Sequence, residues 1–272
     1  MDDAEAGPLS VQRNVILGLL LALAAAAWAV LAWQSADANM GMAMGAPTMG
    51  LRAPLFLAIW VIMMVAMMFP TAAPMILTFH KVQAAKRRRG DAFVATWVFV
   101  TAYLLVWALS GVAAYACALV AEAIAVRAAL SSPTAARIGG AVFVAAGLYQ
   151  LTPLKDMCLS KCRTPIGFIM TSWRDGTVGA LRMGILHGAY CLGCCWLLFV
   201  VLFPLGIMNI AAMAVITLIV FAEKMLPWGR LAPRATAAAL VVYGAVVIAA
   251  PHTLPTFSAG DSKVMPAKMQ MP

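Results

Sequence analysis

The chain has 272 residues, 64% of them hydrophobic and only 11% charged, and its mean hydropathy is +0.93. A soluble domain carries about 25% charged residues, so this composition excludes an ordinary soluble fold and points to an all-α, polytopic transmembrane helix bundle. The net charge of +9 does not indicate nucleic acid, because the basic residues fall in short connections between apolar runs.

The apolar runs are continuous over about 20 residues rather than alternating, which disfavours a β-barrel. Residues 1–13 form a polar tail without the basic leader of a cleaved signal, so the first run is read as a retained anchor. Seven spans are expected near 14–33, 54–79, 92–120, 137–153, 183–203, 208–226 and 235–251, forming one transmembrane domain over 14–251. Pro70 and Pro74 predict a kink in the second run, where freed backbone carbonyls commonly line a cavity. A Met-rich loop, 34–53, follows the first span, and a Met-containing flexible tail, 252–272, follows the last. The connection 154–182 is expected to lie on the membrane surface as an amphipathic segment, with Ile166, Ile169, Met170, Trp173, Val178 and Leu181 on one stripe.

With seven spans, 14 Lys and Arg residues fall on the side of the N-terminus and 4 on the other, Arg137 lying at a boundary. The positive-inside rule then puts the N-terminus in the cytoplasm and the C-terminus outside.

The chemistry-bearing residues sit within these runs. Met63 and Met67, like Met64 and Met68, are four apart and share a helix face. Thioethers are neutral and soft, and suit Cu(I); Met is equally a flexible packing residue. His187, Cys191 and either Cys194 or Cys195 form one stripe that Met183 extends by a turn. An imidazole within a span usually faces a partner or cavity, and Gly184 and Gly188 invite the close approach of another helix. Buried, inert cysteines around a structural His are the alternative. At ~1.5 Å rise per residue in a ~30 Å core, Met63 and Cys194 both lie roughly 13–14 Å below the outer surface, so the two groups can meet if their helices are side by side.

Other candidates lie outside the spans. Met40, Met42 and Met44 form a Met-x-Met run that packing explains poorly and that suits collection of Cu(I). Met49 and the tail residues Met265, Met269 and Met271 extend this chemistry. Cys158 and Cys162, beside Lys155 and Lys161, form a cytoplasmic pair able to receive an ion, or an idle reduced pair. Glu223, next to Lys224, either carries protons or balances a cation, or forms an interfacial ion pair. His80 and His252 read as interfacial. Zinc fits less well, since the chain has three His and Met is a poor zinc ligand.

The combination of Trp60, Met63, Met64, Met67, Met68 and Pro70 with His187, Cys191, Cys194, Cys195 and Trp196, and with Glu223 and Lys224, resembles a bacterial family of predicted metal-binding integral membrane proteins. That family carries a domain of unknown function and is described as copper-chaperone-like. The resemblance covers about residues 50–230 and implies a bacterial cytoplasmic (inner) membrane and metal handling.

The leading expectation is therefore a non-enzymatic membrane protein that binds Cu(I) and transports it or delivers it to a partner. Its partners would be membrane lipid, a copper chaperone or a cuproenzyme, and an oligomer is compatible with this. Two alternatives stand beside it: a thiol oxidoreductase using Cys191 and Cys194, and an assembly subunit of a membrane cuproenzyme. No nucleotide-binding loop of the Gly-x-x-x-x-Gly-Lys type is present to drive pumping.

Overall fold

A computed structural model describes residues 3–36, 47–48 and 50–254, with side chains from residue 11 onward. The methionines at 40, 42, 44, 49, 265, 269 and 271 lie outside the described residues. Every regular element among the described residues is helical: α1 Asp3–Ala36, α2 Ala53–Arg88, α3 Thr96–Arg127, α4 Ser132–Tyr149, α5 Pro153–Arg163, α6 Pro165–Ser172, α7 Gly176–Val200, α8 Leu202–Leu205, α9 Ile210–Met225 and α10 Leu231–Ala249, with a 3-10 turn at Pro251–Thr253.

Five stretches are long and apolar enough to cross a membrane: Val11–Ala36, Ala53–Arg88, Thr96–Arg127, Gly176–Leu205 and Leu231–Ala249. Two of the seven expected spans fall short of that standard. α9 has 16 residues and reaches only ~24 Å at ~1.5 Å per residue. α4 opens on Ser132, Pro133 and Thr134 and carries Arg137, which dilutes its apolar stretch.

α1 packs along α2, α2 against α3, and α3 against α7; α4 pairs with α10, and α5 lies on α7. The α4–α10 contact is close because glycine faces glycine: a Cβ on Gly140 would stand 2.8 Å from the Gly244 carbonyl oxygen, and one on Gly244 would stand 2.6 Å from that of Gly140. Small residues of this kind let helix backbones approach where lipid supplies no hydrophobic drive.

α2 runs unbroken through Pro70 and Pro74. Pro70 has no N–H, so the Ala66 carbonyl one turn earlier loses its helical donor. The indole of Trp28 on α1 replaces it, donating to the Ala66 oxygen at 3.1 Å. The hydroxyls of Thr71 and Thr78 donate to the carbonyls of Met68 (3.0 Å) and Pro74 (2.7 Å). The freed carbonyl thus binds the first helix to the second rather than opening a polar cavity.

The connection expected on the surface folds differently. Thr152 caps α5 by accepting from the Lys155 N–H, and Pro153 and Pro165 begin two separate short helices. Lys155, Cys158, Leu159, Cys162, Phe168 and Ile169 turn inward and are buried. Ile166, Met170 and Val178 face outward, so Ile169 and Met170, placed on one stripe by the sequence reading, point to opposite environments. α7 begins seven residues before the expected span. Just ahead of it Asp175 pairs with Lys86 at the end of α2 and accepts from the Trp173 indole at 3.1 Å. The hydrogen bond from Lys86, aided by Trp173, holds the Asp175 carboxyl below the usual carboxylate range.

Replacing Trp28 with Phe keeps the ring and removes the donor to Ala66. We expect a loss of about 1–3 kcal/mol of stability, the cost of stranding a buried carbonyl, measured as a lower unfolding midpoint in detergent. Gly140→Val should separate α4 from α10 and cost about 1–3 kcal/mol by overpacking, read by the same melt.

Candidate functional site

The centre of the bundle is built on α7. A Cβ on Gly184 would stand 2.5 Å from the Phe99 carbonyl oxygen of α3, and one on Gly188 would stand 2.9 Å from Val106. The two glycines therefore seat α3, and α3 brings Phe99 and Tyr103 over His187. Ring centroids lie 5.9 Å (Phe99), 5.5 Å (Tyr103) and 5.6 Å (Phe168) from the imidazole. His187 is 2% exposed, and neither ring nitrogen has a hydrogen-bond partner among the described residues. An unpaired imidazole in an apolar, aromatic cage costs folding free energy, and such a group calls for a ligand or a function.

One to two turns further along α7, Cys191, Cys194 and Cys195 are all buried, and none of them is in a disulfide. The thiols of Cys194 and Cys195 donate to the Cys191 carbonyl at 3.1 and 2.8 Å. The Cys191 sulfur lies 3.2 Å from the Tyr103 hydroxyl and 3.0 Å from Lys224 Nζ of α9. The same ammonium is 4.0 Å from the Met68 Sδ of α2. Cys162 of α5 is near enough to interact electrostatically with Cys191 and Cys194. Lys224 thus stands in the field of four cysteines, 162, 191, 194 and 195.

A second buried charge group adjoins the first. Lys155 Nζ donates to Glu223 Oε2 at 2.6 Å and to the Gln150 side-chain oxygen. Lys155 is 0% and Glu223 2% exposed, so this is an interior ion pair. Glu223 Oε1 has no hydrogen-bond partner among the described residues.

Several expectations change here. The two sulfur-bearing rods were expected side by side; instead α3 packs against both α2 and α7. They meet through side chains, Met68 from one and Cys191 from the other, with Lys224 between. Glu223 pairs with Lys155, not with its neighbour Lys224. Lys155 is committed to that pair rather than to Cys158 and Cys162. Both of those cysteines face inward: Cys162 lies near the α7 cysteines, and Cys158 lies against Gly193, whose Cβ position would be 2.8 Å from its sulfur.

Met183, Met63, Met64 and Met67 are fully buried. Met63 lines an apolar cleft with Phe56, Ile59, Trp60, Ile207 and Met208. Among the described residues no three His, Cys, Asp or Glu side chains are grouped so as to hold an ion as they stand. Any ion would have to draw on thioethers as well, or on thiols now bonded to Lys224 and to backbone. Near the Met-rich loop, Thr48 is clamped by Glu122, whose Oε1 accepts from its N–H at 2.8 Å and its hydroxyl at 2.6 Å.

A family model described as a copper chaperone, PpoB2, matches residues 57–247. The chain belongs to this copper chaperone family. The matched stretch includes every residue of the buried cluster and leaves out Met40, Met42 and Met44. No curated protein and no solved structure is significantly similar to the chain. Membership gives the chain a copper-related role, and it accords with a soft donor set of thiols, thioether and an unpaired imidazole.

Sequence reasoning passed over Tyr103, Gln150 and the interior placement of Lys155 and Lys224. One signal was available: positions 155, 158, 159 and 162 fall on a single helical face, which marks Lys155 as an inward neighbour of the cysteines. Truncating Lys155 to Met would leave Glu223 buried without its hydrogen-bonded ion-pair partner. The expected cost is about 3–5 kcal/mol, and adding Glu223→Gln should recover part of it; a melt of the three variants checks this.

Proposed function

We propose that this chain is a seven-span protein of a bacterial inner membrane, N-terminus inside and C-terminus outside. It binds Cu(I) at the α5–α7 cluster and carries the ion across, or delivers it to a membrane cuproenzyme. The observation that carries this reading is the placement of Cys191 Sγ and Met68 Sδ, 3.0 and 4.0 Å from one buried ammonium with Cys162, Cys194 and Cys195 nearby, beside an imidazole with both nitrogens free of hydrogen bonds among the described residues. Packing alone does not account for a lysine held among sulfurs, nor for an imidazole left unsatisfied. The seven-span topology is supported by the lateral pairing of α4 with the apolar α10 and of α9 with α2, and by the lopsided distribution of Lys and Arg.

In this scheme Met40, Met42 and Met44 collect the ion outside. Met63, Met64 and Met67 offer neutral thioethers along α2, and Met68 hands over to Cys191, Cys194, Cys195 and Cys162. His187 and Met183 complete the choice of ligands, and Cys158 stands beside the cluster. Neutral ligands spaced along the route spare the ion a bare passage through hydrocarbon.

Purified protein should bind Cu(I) with sulfur in its first coordination sphere by X-ray absorption. Cys191→Ser with Cys194→Ser should lower the copper stoichiometry, and an unchanged value would remove the α7 cysteines from the site. Met63→Leu with Met67→Leu keeps volume and removes sulfur; copper uptake into proteoliposomes should slow, and undiminished uptake would leave those methionines with packing alone.

A further inference from the structure

Lys224 is the least expected member of the cluster. It is 7% exposed and places its ammonium 3.0 Å from Cys191 Sγ and 4.0 Å from Met68 Sδ, in the field of Cys162, Cys194 and Cys195. That point, between thiol and thioether, is where a soft monovalent cation bound by the same sulfurs would sit. Two unit charges a few ångströms apart in an apolar interior repel by several kcal/mol even at an effective dielectric of ~20. The ammonium and a metal ion therefore exclude one another. The adjacent Glu223 has one carboxylate oxygen held by Lys155 and the other, Oε1, without a hydrogen-bond partner among the described residues. Glu223 and Lys224 already interact electrostatically. A lysine carries its charge on a flexible four-carbon stem and can change acceptor with little backbone movement.

We propose that Lys224 is a resident cation that fills the Cu(I) seat when the site is empty, and that loading transfers its ammonium from Cys191 and Met68 to the free oxygen of Glu223. The exchange is one monovalent cation for another at the sulfurs. The charge at the sulfurs is therefore unchanged, the added positive charge falls on the Lys155–Glu223–Lys224 group, and the ammonium returns to the sulfurs when the metal departs. This rests on the functional reading above, and it assigns Lys224 a role as competitor rather than ligand. It also gives Glu223 two duties, one oxygen fixing Lys155 and α5, the other receiving Lys224.

The test is a double-mutant cycle on the full-length protein in detergent, with Cu(I) buffered by bicinchoninate as the probe. Lys224→Met should bind Cu(I) at least as tightly as wild type. Glu223→Gln should weaken binding about tenfold, ~1.4 kcal/mol, in the wild-type background and leave it unchanged in the Lys224→Met background. The strain from the broken Lys155 pair is common to both backgrounds and cancels. A folded Lys224→Met protein that binds at least tenfold more weakly, or a Glu223→Gln effect of equal size in both backgrounds, overturns the inference while leaving the copper site intact. Should Lys224→Met fail to fold, Lys224→Arg decides. Its bulkier fixed cation should lower Cu(I) affinity about tenfold, and unchanged affinity overturns the proposal. Wild-type protein that binds no Cu(I) defeats the functional reading itself, and this inference with it.

Discussion

Three charged side chains, Lys155, Glu223 and Lys224, are buried at the meeting of α5, α7 and α9, and the helix arrangement around them is governed by the need to balance them. Isolated charges in such an interior are prohibitively costly, so each must find a counter-charge or a strong acceptor. Lys155 finds Glu223, which draws α5 inward; Lys224 finds Cys191, which ties α9 to α7. The inward pull on α5 is what carries Cys162 to the cysteines of α7. The donor set of the cluster is thus a consequence of charge pairing as much as of sequence spacing.

Backbone hydrogen bonding sets the second constraint. A proline in a long apolar helix strands a carbonyl, and α2 solves this with an indole from α1 rather than by breaking. α2 therefore continues as one helix on which Met63, Met64, Met67 and Met68 are all buried. The glycines of α7 serve the complementary purpose. They let α3 approach until Phe99 and Tyr103 stack on His187, and Tyr103 also reaches the Cys191 sulfur. The cage buries the imidazole and leaves its nitrogens without protein partners among the described residues.

These features join the family assignment to the chemistry. A copper chaperone must hold a soft ion firmly enough to protect it and loosely enough to release it. In the proposed scheme, thioethers, thiols and a displaceable ammonium at one point would meet both demands, because the ammonium would return to the sulfurs as the ion leaves. A site made only of thiolates would hold the ion more tightly and would carry surplus negative charge when empty.

The sequence alone determined the helical class, the apolar character of the runs and the stripe of His187 with Cys191 and Cys194. Each follows from composition and from the 3.6-residue period, which are local properties. The expected partner of Gly184 and Gly188, another helix, was also legible, though not which one. Tertiary structure decided that α3 takes that place, that Cys162 belongs to the α7 cluster, and that Lys155 and Lys224 face inward. Spacing could not decide these points, because a lysine near a helix end is equally at home reaching outward to the interface. Its direction is set by whether a carboxylate or a sulfur waits inside, and that depends on residues up to 156 positions apart.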